Sequence, residues 1–317
     1  MSALHRTEWR AVGTTCAAAV TAGPHEESTV RWALGAAQEE VAACERELSR
    51  FDSSSDLSRL NAAGGRWTPI GCRLLEALGL ALRAREDTGG RFDPTVLPAL
   101  VAAGYDRSFE LLEEREARTA YDWRAGTAIE LDLRSSRARL APGSSVDLGG
   151  IGKGYAAGRA LDAMLAVSSN LAGGLVDLGG DIAVRGESPE GGPWLVAIAD
   201  PRRAGETLAV LALDGGGVAT SGRDARRFGP AGSLHHLIDP ETGESALAGP
   251  LTVTVVAPDP AAAEVHATTL AIAGLGEAEA HVEARPGISA LYVRHAGPPV
   301  PLGRLPLVSE RLVIQAA

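Results

Sequence analysis

The hydrophobic pattern changes period partway along the chain, and that change limits the fold more than any other feature. Over residues 26–50, Val30, Ala33, Leu34, Ala37, Val41, Cys44 and Leu48 recur at three- and four-residue spacing, with Glu39, Glu40, Arg46 and Glu47 between them. Such spacing puts the apolar side chains on one face of a helix. A second helical run, LLEALGLALRARED from Leu74, meets Thr88-Gly89-Gly90, where paired glycines favour a stop. From about residue 128 the pattern becomes short alternating runs, AIELDL, WLVAIAD, TLAVLAL and LTVTVVA, set between Gly, Pro and Asp clusters. Those are strands and turns. Two helical patterns, 153–165 and 260–273, interrupt them. The sequence thus predicts an α+β fold of mixed β-sheets flanked by helices, helix-rich over about 1–127 and strand-rich over about 128–317. No long polar linker divides the chain, so one compact domain, 1–317, with two subdomains is expected.

Composition narrows the function classes. With 30 Lys+Arg against 40 Asp+Glu the formal charge is −10, and no basic cluster offers itself to phosphate backbones or anionic lipid. Neither nucleic acid nor membrane insertion is expected, and a polyanionic ligand needs local help. No run approaches the roughly 18 apolar residues of a membrane span. The three cysteines, Cys16, Cys44 and Cys72, show neither CxxC nor Cys/His metal spacing and read as reduced structural thiols. Val12-Gly13-Thr14-Thr15-Cys16 has the small residues of a lipoprotein cleavage site, but HRTEWRA before it is polar where a signal peptide is apolar. An unprocessed, cytoplasmic protein is expected.

Three constellations could carry chemistry. In SVDLGGIGKGYAAGRALDAM, residues 145–164, a strand meets a glycine turn and then a helix. Gly149, Gly150, Gly152 and Gly154 permit close backbone approach, and the helix start offers N–H groups and a positive dipole end to an anion. The run is not a P-loop, since residue 147 is Asp and residue 154 Gly, and it is not GxGxxG. Asp147 and Lys153 flank it. The pentapeptide VDLGG at 146–150 recurs at 176–180, where a plain strand-to-turn reading suffices. In PDPAAAEVHATTLAIAG, Glu264 and Thr268 lie one helical turn apart, the core stripe being Val265, Thr269 and Ile272. Both are oxygen donors suited to Mg²⁺, or else part of a solvated face. In residues 218–246, Thr220-Ser221-Gly222 lacks a GxSxG elbow, which argues against a Ser/His/Asp hydrolase. His235 and His236 precede an Asp-Pro turn, where a histidine either packs or titrates.

Taken together these stretches resemble the ApbE-like FAD:protein FMN transferase family, enzymes that split FAD and attach FMN to a Thr or Ser hydroxyl of a target protein. The resemblance runs in order through VGTTC at 12–16, SRFDSSSDLSRLN at 49–61, GRFDPTVLPAL at 90–100, VDLGGIGKGYA at 146–156, VDLGGDIAVRG at 176–186, ATSG at 219–222, HLIDPETG at 236–243 and AEVHATTLAIAG at 263–274. It implies that Asp147 and Lys153 contact FAD, that Val12 and Phe51 occupy FAD-contacting positions, and that Arg91, Phe92 and Asp93 line the flavin or adenine pocket. It also implies Mg²⁺ ligands at the Gly150 carbonyl, Glu264, the Ala267 carbonyl and Thr268, His236 as the catalytic histidine and Ile238 as a FAD contact. Four positions depart from the family pattern: Val12 stands for a common Met, Phe51 for Tyr, Glu264 for Asp, and Gly158 for an Asp before Arg159.

The activity so implied is Mg²⁺-assisted phosphoryl transfer, in which a target hydroxyl of an acceptor flavoprotein attacks the FMN-side phosphorus of FAD and AMP departs. His236 begins the HLIDP match, and alternation along a strand would put it on the face of Ile238, which by resemblance touches FAD, and His235 with Leu237, so His236 is taken as the base. Two other functions use the same residues: a Mg²⁺-dependent FAD pyrophosphatase with water as acceptor, and a protein that binds FAD without cleaving it.

Overall fold

The computed structural model describes residues 2–107, 126, 128–223, 227–228 and 234–308. The fold is α+β, and the chain forms two compact units assembled from interleaved stretches. One comprises Met1–Ala42, Lys153–Gly222 and Pro250–Ala317, the other Ala43–Gly152 and Arg223–Gly249.

The first unit is built on an eight-stranded sheet. In spatial order the strands are Ala3–Ala11, Thr14–Ala22, Gly173–Leu178, Ile182–Gly186, Gly215–Gly222, Thr252–Ala257, Ser289–Val293 and Val300–Leu302. Each neighbouring pair is antiparallel. Within LTVTVVA, Val253, Thr254, Val255 and Ala257 are all buried, because a strand covered on both faces needs apolar residues at successive positions. Ala3–Ala11 instead alternates exposed and half-buried positions, as an edge strand does. It turns into Thr14–Ala22 through Val12 and Gly13, with φ of +47° and +70°. Two positive φ values make a turn whose twist matches the flanking strands. Glycine suits this, whereas β-branched Val12 is strained. This hairpin lies in the part of the chain where the sequence pattern spoke of helices.

The hairpin Trp194–Ala199 and Thr207–Leu213 covers part of the sheet, with Trp194, Val196, Ile198, Leu208 and Leu211 packed among Ala19, Val184, Leu291 and Val293. Helix Pro260–Ala271 starts at an Asp259 cap, whose carboxylate accepts the Ala262 N–H at 2.9 Å. The backbone at its start is crowded: a Cβ on Gly154 would stand 2.3 Å from the Pro260 carbonyl oxygen, and one on Gly217 2.3 Å from Pro260 Cα. Only glycine admits that packing.

The second unit carries helices Asp56–Asn61, Cys72–Asp87 and Leu97–Ala102, and a three-stranded sheet ordered Thr68–Pro69, Arg137–Leu140, Ile129–Asp132. Helix Cys72–Asp87 stops where the glycine pair predicts, with Gly89 and Gly90 at φ +62° and +84°. Two short ladders follow, Arg227–Phe228 with Leu234–His235 and Ile238–Asp239 with Glu244–Ser245. Within the 218–246 stretch, residues 224–226 and 229–233 lie outside the described residues, as do 108–125 and 127. Among the described residues no helix is long and apolar enough to cross a membrane.

Candidate active site

In the first unit, Lys153 stands in the first turn of helix Gly152–Leu165 and reaches two buried carboxylates. Its Nζ lies 3.2 Å from Glu264 Oε1 and in closer contact with Asp181 Oδ2. The side chains of Glu264 and Asp181 are only 3% and 4% exposed, that of Lys153 24%. Glu264 Oε2 accepts the Gly154 N–H at 2.8 Å. A donor of the helix start that the sequence reserves for an external anion is thus held by a carboxylate of the protein, where the helix dipole favours negative charge. The solvated-face reading of Glu264 is corrected by its burial; the stripe Val265, Thr269 and Ile272 is buried as expected. Helix Pro260–Ala271 is apolar enough to be covered on several sides, so a carboxylate off the core stripe still loses its water.

Asp181 had no place among the expected site residues. It follows the turn Gly179-Gly180, where φ is +73° and +96° and Asp177 Oδ1 accepts the Gly180 N–H at 2.7 Å. The available signal was the repeat itself, since one copy of VDLGG leads to Lys153 and the other directly to this aspartate.

In the second unit, Asp147 Oδ1 accepts the Gly149 N–H at 2.7 Å and Oδ2 pairs with Arg50 Nε at 2.6 Å. Arg50 is also missing from the sequence expectations. Its guanidinium lies 4.1 Å from the Phe51 ring centre and 4.5 Å from that of Tyr105, and Nη1 donates to the Tyr105 carbonyl at 3.1 Å. Phe51 remains 46% exposed, an aromatic face open to another ring. Half-buried Gly150 follows in the same glycine turn.

Arg91 and Asp93 line a cavity of about 310 Å³ with Arg85, Gly89, Gly90, Pro240 and Glu241. Arg91 is held by Asp239 at 3.3 Å. Asp93 is buried and accepts from Thr95 N–H, Thr95 Oγ1, Arg85 Nε and Gly126 N–H, so its carboxylate is committed to holding the cavity wall. Phe92 is buried beside it.

His235 ends a strand and is buried, its Nε2 donating to the Ala246 carbonyl at 2.9 Å. His236 is half-buried in a bend, and Ile238 opens the next strand and packs with Ala99, Leu100 and Tyr105. The continuous strand assumed in comparing the two histidines is broken at 236–237, because Leu234–His235 and Ile238–Asp239 pair with different partners. Leu237 and Ile238 are both buried. Val12 sits in the hairpin turn of the first unit.

The donors near Glu264 fit a hard cation. Glu264, the Ala267 carbonyl and the Thr268 hydroxyl follow one another along one helix, and all are oxygens. Each carboxylate oxygen has two acceptor directions, so one contact to Gly154 N–H and one to Lys153 leave capacity. Among the described residues no group of three or more His, Cys, Asp or Glu could hold a metal. Mg²⁺ takes one or two carboxylates and completes its shell with phosphate and water.

The fold is α+β, and its first unit sets a lysine beside two buried carboxylates. The family model described as ApbE family matches residues 12–292, and the chain belongs to that family. It is 32% identical over 251 residues to the FAD:protein FMN transferase of Klebsiella pneumoniae strain 342, covering 76% of this chain and 71% of that one. It is 31% identical over 263 residues to the enzyme of the same name from Haemophilus influenzae, covering 78% and 73%. The solved structure of the ApbE protein from Thermotoga maritima superposes with a TM-score of 0.82 at 28% identity, over 95% of this chain and 97% of that one.

Proposed function

We propose that this protein is a FAD:protein FMN transferase that moves FMN from FAD to a Thr or Ser hydroxyl of an acceptor flavoprotein and releases AMP. The observation that carries the reading is the contact of Lys153 with the buried Glu264, which joins the helix-start lysine to the carboxylate of the helix assigned here to the cation. Relatives of that name over most of the chain support the flavin chemistry.

In this reading the acceptor oxygen bonds to the FMN-side phosphorus, the bond from that phosphorus to the bridging oxygen breaks, and AMP leaves with the electron pair. His236 takes the hydroxyl proton; its half-buried position leaves the ring reachable, unlike that of His235. Lys153 offsets charge developing on the phosphoryl oxygens. Glu264, Thr268 and the carbonyls of Ala267 and Gly150 would hold Mg²⁺, which supplies Lewis-acid polarisation of the phosphoryl oxygens. Asp147, Phe51, Val12 and Ile238 are assigned to FAD contacts, and Arg91, Phe92 and Asp93 to a ring of FAD, with a cavity in the lower range of ligand pockets as support. The odd number of cysteines without CxxC or Cys/His spacing supports a cytoplasmic setting.

The test is to incubate the purified chain with FAD and Mg²⁺, with and without a flavoprotein carrying an exposed Thr, following AMP and protein-bound flavin fluorescence. Acceptor-dependent AMP release with fluorescent acceptor is expected. AMP without labelled acceptor would make the protein a pyrophosphatase, and bound FAD without AMP a carrier.

A further inference from the structure

Two buried carboxylates share one ammonium in the first unit. Lys153 Nζ is closer to Asp181 than to Glu264, at 3.2 Å from the latter. The set of Asp181, Glu264 and Lys153 carries a net charge of −1 with both carboxylates more than nine-tenths buried. Without a second partner, a lysine in such a place would settle on the only carboxylate left, because an unpaired buried charge is costly. That carboxylate is Glu264.

The position of Asp181 is fixed by its backbone. Its carbonyl accepts the Leu178 N–H at 3.0 Å across the glycine turn. Gly179 passes close to Thr14, where a Cβ would lie 2.4 Å from Oγ1.

We propose that Asp181 is a positioning residue that draws the Lys153 ammonium away from Glu264 and so keeps the Glu264 carboxylate available to the divalent cation. The inference rests on the Mg²⁺ reading given under Proposed function. It assigns the second VDLGG turn a purpose that a strand-to-turn reading does not: the turn delivers the counter-charge to the lysine that follows the first.

The experiment is Mn²⁺ binding to the purified chain by electron paramagnetic resonance, with Mg²⁺ as competitor and circular dichroism to check the fold. Asp181→Asn should weaken binding about 10- to 100-fold, the range for partners that orient a metal ligand. Adding Lys153→Met to Asp181→Asn should recover most of that loss, because no ammonium remains to occupy Glu264. If Asp181→Asn alone does not fold, Asp181→Ser replaces it; it too leaves Lys153 without that counter-charge, so binding must weaken. Unchanged affinity in the single variant overturns the proposal. So does a double variant as weak as the single, which would make Asp181 a ligand or a support of the fold. A parent chain that binds no cation overturns the metal reading and this inference together; a parent that binds beside an unaffected variant overturns this inference alone.

Discussion

The ammonium of Lys153 is ion-paired with the carboxylate of Asp181, and the two residues follow the two copies of a single pentapeptide, VDLGG at 146–150 and at 176–180. The copies differ in conformation: 146–150 belongs to no strand and leads into helix Gly152–Leu165, whereas the second ends strand Gly173–Leu178 in a glycine turn. At the second, positive φ at Gly179 and Gly180 is what the turn requires. The charge carried just beyond differs too: a cation after one, an anion after the other. The first unit builds its charged cluster from Lys153 at a helix start, Asp181 after a glycine turn and Glu264 on another helix.

Glu264 has two functions that substitution separates. Glu264→Ala removes the acceptor of the buried Gly154 N–H and one of the two carboxylate partners of Lys153, so it should cost about 1–3 kcal/mol of stability as well as activity. Glu264→Gln keeps an oxygen for Gly154 and drops the charge. It should unfold within a few degrees of the parent and yet lose FAD cleavage. Parent-like AMP release by Glu264→Gln at limiting Mg²⁺ would place the cation elsewhere.

Much of the fold was legible because it is written in periodicity. The stripe on Glu27–Leu48, the stop after Cys72–Asp87 and the strand Trp194–Ala199 follow from local pattern and turn residues. The hairpin Ala3–Ala22 was not, since a Val at the first turn position is among the poorest turn signals. Asp181 and Arg50 were missed for another reason. Their importance arises from partners, Lys153 and Asp147, that are distant in sequence, and no local pattern encodes such a pair. Burial of Glu264 likewise depends on glycines at 154 and 217 that let the helix start close in.

Gly154→Ala tests that close approach. The added methyl would sit 2.3 Å from the Pro260 carbonyl oxygen, which is backbone and cannot swing away. Overpacking of this kind costs roughly 1–3 kcal/mol, and the shift would also disturb the Gly154 contact to Glu264. Urea denaturation should show a lowered midpoint with an unchanged slope; an unaltered midpoint would mean that the two helix starts are free to separate.

The adjacent histidines should divide stability from catalysis. His235→Ala loses a buried hydrogen bond to the Ala246 carbonyl and should lower stability by about 1–3 kcal/mol, with transfer by the folded fraction near the parent rate. His236→Ala should bind FAD and transfer FMN about 10²–10⁴-fold more slowly, the span lost with a general base. Single-turnover rates beside denaturation curves distinguish them, and exchanged phenotypes would reverse the assignment.

Val12 offers a stabilising change. At φ +47° a β-branched residue carries about 1–2 kcal/mol of backbone strain that glycine avoids and asparagine largely avoids. Val12→Asn should raise the melting temperature by several degrees. If Val12 also touches FAD, as the family resemblance implies, the same variant will show a higher KM for FAD; a melting temperature equal to or below the parent's would mean that the Val12 side chain contributes more than its backbone costs.

Acid should destabilise the fold through His281. Its Nε2 lies 3.1 Å from His266 Nδ1, and Arg285 donates to its carbonyl from one turn further on. Burial first, then the charge of Arg285 and the neighbouring His266, push its pKa from 6.5 down to about 4. The unfolded chain therefore takes up a proton on His281 before the folded chain does. The associated stability is complete above about pH 6.5 and is lost progressively as pH falls toward 4. The melting temperature of the parent should drop over that interval more steeply than that of His281→Gln, which keeps a polar group near His266 without a titrating proton. Parallel profiles would assign the acid sensitivity to other groups.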